Sequence, residues 1–219
     1  METSSKMQPL VIGSGIDGKD IVLDFAEMPS LLIASENVYD NIALLKQIYR
    51  RINENECFNN YIIIDIHGEM EKTIGFRRNV RHILEHKEAV EFLKKYADEL
   101  ERNGGCNEST LLLIDDLPSI MLYGKKNAEQ SLSTILTKCF NSKLRLILLS
   151  HHNKDDVVTP LLCIKLNYKI VFGLSNPKDS ERLLGNKSAS EIDTKGECVV
   201  SFRGNETRGF IRIPDIAPL

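Results

Sequence analysis

"LLIASENVYDNIALLKQIYRRI", Leu31 to Ile52, decides how the rest of the chain is read. A short apolar run ends in a small residue, a loop follows, and then Ile42, Leu45, Ile48, Tyr49 and Ile52 recur at helical spacing. Strand, loop and amphipathic helix in this order outline a phosphate-binding unit, in which backbone N–H groups at a helix start hold the anion. Yet this loop contains neither glycine nor lysine.

Outward from it, the chain alternates strand and helix. Pro29 breaks the chain before "LLIA", and "PLVIGSGIDGKDIVLDF" ahead of it reads as a β-hairpin around a Gly/Asp turn. "YIIIDI" (Tyr61–Ile66), "STLLLIDDL", "LRLILLS" and "YKIVFGL" are further apolar strands, of the kind buried on both faces in a parallel sheet. Between them "EAVEFLKKYADELERNGG" is an amphipathic helix closed by Gly104 and Gly105, and "AEQSLSTILTKCF" is helical. "DDVVTPLLCIK" is a short helix interrupted or started at Pro160, and "NPKDSERLLG" is a short capped helix. "GECVVSFRGNETRGFIRIPDI" is a closing hairpin that turns at Gly204 and Asn205. This order predicts an α/β fold with a mainly parallel sheet, helices on both faces and hairpins on the sheet's edge. No linker interrupts the pattern, so residues 1–219 read as one domain, with 1–8 a flexible linker.

Composition narrows the function. The chain has 219 residues, 42% hydrophobic and 27% charged, enough for one full core. A net charge of -3 exerts no global pull on nucleic acid or an anionic membrane. Five scattered cysteines without a C-x-x-C pair read as free buried thiols in a reducing cytosol. No apolar run approaches the roughly 20 residues that cross a bilayer, and the polar start "METSSKMQPL" has no signal-peptide core. Arg50, Arg51, Arg77, Arg78 and Arg81 are interleaved with acids and lack an aromatic stacking set, so they read as solvated faces; one of the last three is also a candidate subunit contact.

Ligands of such sheets gather at the carboxyl ends of the strands. Three of those ends are chemically loaded: Ser35 to Asn41, Asp65 to His67, and Asp115 with Asp116. "LLLIDD" matches a Walker B strand, whose first acid holds magnesium and whose next acid polarises the attacking water. Asp115 fits the first role. Asp116 takes the second, about one methylene short of the usual glutamate. A pair of acids capping a strand end is the plainer alternative.

Against G-x-x-x-x-G-K-[ST], the first glycine becomes Ser35, the second Asp40, the lysine Asn41 and the hydroxyl residue Ile42. Glu36 and Asn37 precede Val38 and Tyr39, which put bulk where the loop would turn tightly. Glu36 and Asp40 also repel phosphate: at an effective dielectric near 20, like charges about 4 Å apart cost about 4 kcal/mol. Even part of that removes decades of affinity. The topology of a nucleotide fold is expected, and its chemistry is not.

"DIHG" (Asp65–Gly68) begins like a metallophosphoesterase site, but the downstream blocks that would supply bridging ligands are missing, so no metal is expected. His151 and His152 end a strand and point to opposite sides. His151 reads either as the remnant of a γ-phosphate sensor or as an ordinary strand-end polar residue. Cys106 has no histidine arranged near it in sequence to activate it. Ile120, Met121, Leu122 and Tyr123 are either candidate ground for docking or the first turn of a core helix.

With the opening hairpin, the emptied loop, "YIIIDIHG", "LLLIDD", "LRLILLSHH" and the closing hairpin in place, nearly the whole chain resembles an FtsK/SpoIIIE-type ATPase module. Within that family it is most similar to the degenerate C-terminal (third) module of the type VII secretion ATPases, EssC and EccC. The resemblance implies a RecA-like P-loop NTPase fold with terminal β-hairpins. It implies a cytosolic module of a membrane-anchored, hexameric motor for virulence-type export, with ATP and magnesium in sister modules and none in this one. It further implies two kinds of partner: the preceding ATPase modules of the same protein, and small helical secreted proteins whose C-terminal signals bind in a hydrophobic pocket. No direct nucleic-acid contact is expected. The alternative is a residually active, ATP-binding FtsK-like translocase of DNA or protein.

Overall fold

The apolar runs line up side by side because each is apolar on both faces and needs a helical layer on either side. The computed structural model describes residues 9–54, 57–68, 70, 80–151, 153, 154 and 156–211. The expected linker 1–8, and Arg77, Arg78 and His152, lie outside them. The elements are β1 (Leu10–Gly15), β2 (Asp20–Leu23), β3 (Ser30–Ala34), α1 (Val38–Glu54), β4 (Asn60–Ile64), β5 (Val80–Ile83), α2 (His86–Asn103), β6 (Thr110–Ile114) and α3 (Leu117–Cys139). Then come β7 (Leu144–Ser150), α4 (Pro160–Lys165), β8 (Tyr168–Phe172), α5 (Pro177–Leu184), a 3-10 turn (Ser188–Glu191), β9 (Glu197–Phe202) and β10 (Asn205–Ile211).

Among the described residues these strands form one sheet in the order β2-β1-β10-β9-β8-β3-β7-β6-β4-β5. From β8 to β5 every pairing is parallel; from β8 to β2 every pairing is antiparallel. Alternation within the central strands splits the core. Leu32, Leu112, Ile114, Leu146 and Leu148 face one cluster with residues of α2, α3 and α4. Leu31, Ile33, Leu111, Leu113 and Ile147 face the other, where α1 contributes Leu44, Leu45, Ile48 and Tyr49. Gly104 takes the left-handed conformation that ends α2, as its position predicts.

The two terminal hairpins do more than sit at an edge. They pair with each other through β1 and β10, making a four-stranded antiparallel wing that β9 joins to β8. Gly13 permits this: a Cβ there would lie 2.2 Å from the Phe210 carbonyl oxygen. The closing turn is Arg203–Gly204, both at positive φ, and Asn205 is already paired with Phe202; the expected turn is thus shifted by one residue. β5 has no counterpart in the sequence reading. It is a short edge strand, "VRHI", without the apolar run that marked the others.

Candidate functional site

The emptied loop does not turn tightly at all. β3 ends at Ala34 and α1 begins at Val38, so only Ser35, Glu36 and Asn37 connect them. Ser35 Oγ accepts a hydrogen bond from the Asn37 amide (2.9 Å), and Asn37 Oδ1 accepts from the Tyr39 amide (3.0 Å). These bonds satisfy donors at the start of the helix from within the chain, where a phosphate-binding loop presents them to its ligand. Val38 and Tyr39 are exposed on the first turn of α1. The early start of α1 leaves no tight turn for their bulk to hinder.

Asp40 and Asn41, mapped to the second glycine and the lysine, lie inside α1 and are buried. Asn41 Nδ2 donates to the Ser150 carbonyl at the end of β7 (3.1 Å), tying helix to sheet where a lysine would reach outward. Ser35 extends the ladder to the same strand through its amide (3.0 Å to the Ser150 oxygen). Ile42 follows, half-buried, with no hydroxyl to offer a cation. Asp40 sits in the first turn, so the positive end of the helix is complemented by the chain's own carboxylate. Burial pushes the Asp40 carboxyl above the usual range, partly opposed by the attraction of Lys195.

Glu36 leans across to the loop after β8, where its Oε1 accepts from the Ser175 amide (3.0 Å) and Oγ (2.9 Å). The cleft between these elements has a volume of about 610 Å³. Among the described residues its charged lining is Glu36, Asp40, Asp193 and Glu197 against Lys195. Ser175, Asp193 and Lys195 come from loops with no motif, and nothing in their local sequence marks them.

At the neighbouring strand ends, β7 lies between β3 and β6. Asp115, half-buried, donates its amide to the Ile64 carbonyl of β4 (3.0 Å). Asp116 is buried and caps α3: it accepts from the Ser119 amide (3.1 Å) and from the Ser119 hydroxyl. It also bonds His67 Nε2 (2.7 Å), and His151 Nδ1 stands 3.8 Å from its other oxygen. Burial alone would raise the Asp116 carboxyl, but the Ser119 bonds, His67 and His151 outweigh it and hold the group below its ordinary value. So engaged, Asp116 caps α3 and ties its start to His67. His151 therefore faces an acid of its own chain. The link from His67 to Asp116 spans 49 residues and left no local signal.

Asp65 and His67 part company. Asp65 is fully buried and accepts from the Met70 amide (2.9 Å), with His82 Nε2 at 3.3 Å, while His67 turns to Asp116. No group of three His, Cys, Asp or Glu side chains among the described residues is arranged to hold a metal ion. Cys106 lies beyond the amino ends of the strands, its Sγ 3.2 Å from the Glu108 carbonyl. The expectation of buried thiols holds for Cys139 and Cys198, whereas Cys57, Cys106 and Cys163 are half-buried. Ile120 and Met121 are core residues of α3, whereas Leu122 and Tyr123 are exposed, Tyr123 against the His86 ring. Arg50 pairs with Glu54, and Arg81 lies over the Phe92 ring, so both are engaged within the chain.

No protein-family profile matches the chain. Curated relatives do: it is 24% identical to the DNA translocase FtsK of Helicobacter pylori strain J99 over 97% of this chain and 28% of that protein. Identity to FtsK of Haemophilus influenzae is 22%, over 90% of this chain and 47% of that protein. The chain thus spans between about a quarter and a half of the first of these relatives. Among solved structures, the cytoplasmic domain of the Thermomonospora curvata type VII secretion ATPase EccC superposes with a TM-score of 0.76 at 16% identity, over 96% of this chain and 29% of that one. The pCW3 conjugation coupling protein TcpA, solved with ATPγS, gives 0.75 at 18% identity, over 96% and 68%. The fold is that of an FtsK/SpoIIIE-type ATPase module. The mostly parallel sheet flanked by helices is accordingly the RecA-like P-loop architecture, and the likeness to EccC and EssC extends over nearly all of the module. No described helix is long and apolar enough to cross a membrane.

Proposed function

We propose that this module keeps the ATPase scaffold but has been released from nucleotide chemistry, and that it serves recognition, assembly or coupling in protein export. One observation carries the reading. The segment that should cradle phosphate is three residues without glycine, whose Ser35 and Asn37 side chains accept from the Asn37 and Tyr39 amides, and it opens on a cleft lined by four acids and one base among the described residues. Triphosphate brings like charge to that cleft, and the chain offers no lysine at the position that would offset it. Asp116, in the water-polarising position, is committed to Ser119 and His67.

In this reading, residues 1–219 form one module of a motor anchored in a bacterial cell membrane. The module faces the cytoplasm, sister modules carry ATP and magnesium, and the assembly is a hexameric ring. Its partners are the preceding ATPase modules and small helical secreted proteins. The likeness to EccC supports this setting, as does the solved complex of EccC ATPases 2 and 3 with a signal sequence peptide. A thermal-shift assay tests the loss of nucleotide binding. A ligand that binds only the folded state raises the melting temperature by mass action, so an unmoved melting temperature in millimolar magnesium-ATP is expected. A rise of several degrees contradicts the reading.

The second reading, a residually active FtsK-like translocase, is favoured by the sequence relatives, which are DNA translocases. It requires duplex binding that weakens steeply with salt. With a net charge of -3 and Arg50 and Arg81 engaged within the chain, no such binding is expected.

A further inference from the structure

At the end of β8 opposite the cleft, a second concavity of about 610 Å³ opens between the ends of α3 and α5, the short helix α4 and the β9–β10 turn. Its size is that of a ligand pocket. Leu166 and Leu183 form a buried apolar floor. Above it, Ile164 is 81% exposed and Phe140 is 43% exposed. Leu161, three residues before Ile164 and on the same face of α4, is also 43% exposed. Single exposed apolar residues need no explanation, but a group of them around a concavity marks a place where something docks.

The charge of this groove selects its occupant. Among the described residues its charged lining is Lys169, Arg182 and Arg203, with no acid. Lys169 is engaged by the Leu183 carbonyl at the end of α5 (2.8 Å), and Arg182 pairs with Asp179. Arg182 Nε is nevertheless buried without a hydrogen-bond partner, a costly state for a donor on a charged group. The Arg203 guanidinium lies over the Phe202 ring, 5.0 Å from its centroid, and meets no carboxylate within 4.0 Å among the described residues. We propose that the groove docks an acidic, leucine-bearing segment of another polypeptide. Its apolar side chains cover Ile164 and Phe140, and its carboxylates meet the guanidinium groups, whose forked donors match a carboxylate's two oxygens. A basic segment is repelled there, and an inorganic anion or a purely polar segment leaves Ile164 in water. The groove and the cleft lie at opposite ends of β8, so this docking holds whether or not nucleotide binds in the cleft.

The test titrates the 219-residue chain into three fluorescent peptides of about 15 residues and reads anisotropy. The first carries leucines on one helical face and glutamates on the other. The second has lysine for each glutamate, and the third has serine for each leucine. Saturable binding of the first is expected, with the other two weaker by about tenfold or more. Ile164→Ser should weaken it about tenfold, and Arg203→Gly about fivefold. Ile164 is exposed, and Arg203 has φ +48°, a conformation glycine adopts freely, so both variants keep the fold, which circular dichroism verifies. No saturation by the acidic leucine peptide, equal binding of the lysine or serine peptide, or unchanged binding in either variant overturns the proposal. If the peptide fails while vesicles of phosphatidylglycerol and phosphatidylcholine bind and Ile164→Ser releases them, the surface belongs to a membrane and the proposal falls. A dimer in sedimentation that Ile164→Ser dissolves, with no peptide binding, assigns the surface to a second copy and overturns it equally.

Discussion

Asp116 and Asp40 show how two carboxylates at strand and helix ends acquire opposite electrostatic roles. Asp116 is held charged by Ser119, His67 and His151, so its folded-state pKa lies below the unfolded one. The stability it contributes is present above the ordinary carboxylate range and is lost as pH falls through the depressed folded value. Asp116→Ala should cost about 1–2 kcal/mol at pH 7 through loss of the cap, measured by urea denaturation, and the cost should shrink in acid. Asp40 has the reverse sign. Burial raises its folded pKa, so its ionisation costs stability as pH rises from the ordinary carboxylate value through the raised one. Asp40→Asn should therefore be neutral or stabilising at pH 7, with the benefit fading in acid. A clear loss of stability at pH 7 would show that the helix dipole and Lys195 outweigh the cost of burial.

At the scale of elements, the connection between β3 and α1 decides the chemistry. Asn37→Ala removes the side-chain acceptor at the start of α1 and should cost about 1 kcal/mol in the same measurement. The wing depends on close backbone approach, so Gly13→Ala should cost about 2 kcal/mol or more and loosen hydrogen-exchange protection in β1 and β10. Periodicity made β3, α1, β6 and β7 readable, because strands buried on both faces and amphipathic helices each leave a distinct local pattern. β5 was not readable: an edge strand with Arg81 and His82 needs no continuous apolar run. Nor was the far wall of the cleft. Ser175 meets Glu36 across 139 residues, and no window of sequence contains both. The emptied loop was legible from its missing glycines, but the early helix start that replaces it was not, since it rests on short hydrogen bonds of Ser35 and Asn37.

Across the whole molecule, the sheet order and the two core clusters build the fold of an FtsK-type ATPase module, while the cleft beside β3 is lined by four acids and Lys195 among the described residues. A core of this kind is specified by burial on both faces and is indifferent to what lies at the strand ends, so scaffold and chemistry separate readily. The net charge of -3 predicts the behaviour toward duplex DNA: no measurable binding at low salt in a fluorescence-anisotropy titration. Isothermal calorimetry with magnesium-ATP tests the central claim most directly. The expected result is no saturable heat up to millimolar nucleotide, with the wild-type chain and Asp115→Ala indistinguishable. Submillimolar binding that Asp115→Ala abolishes would contradict it.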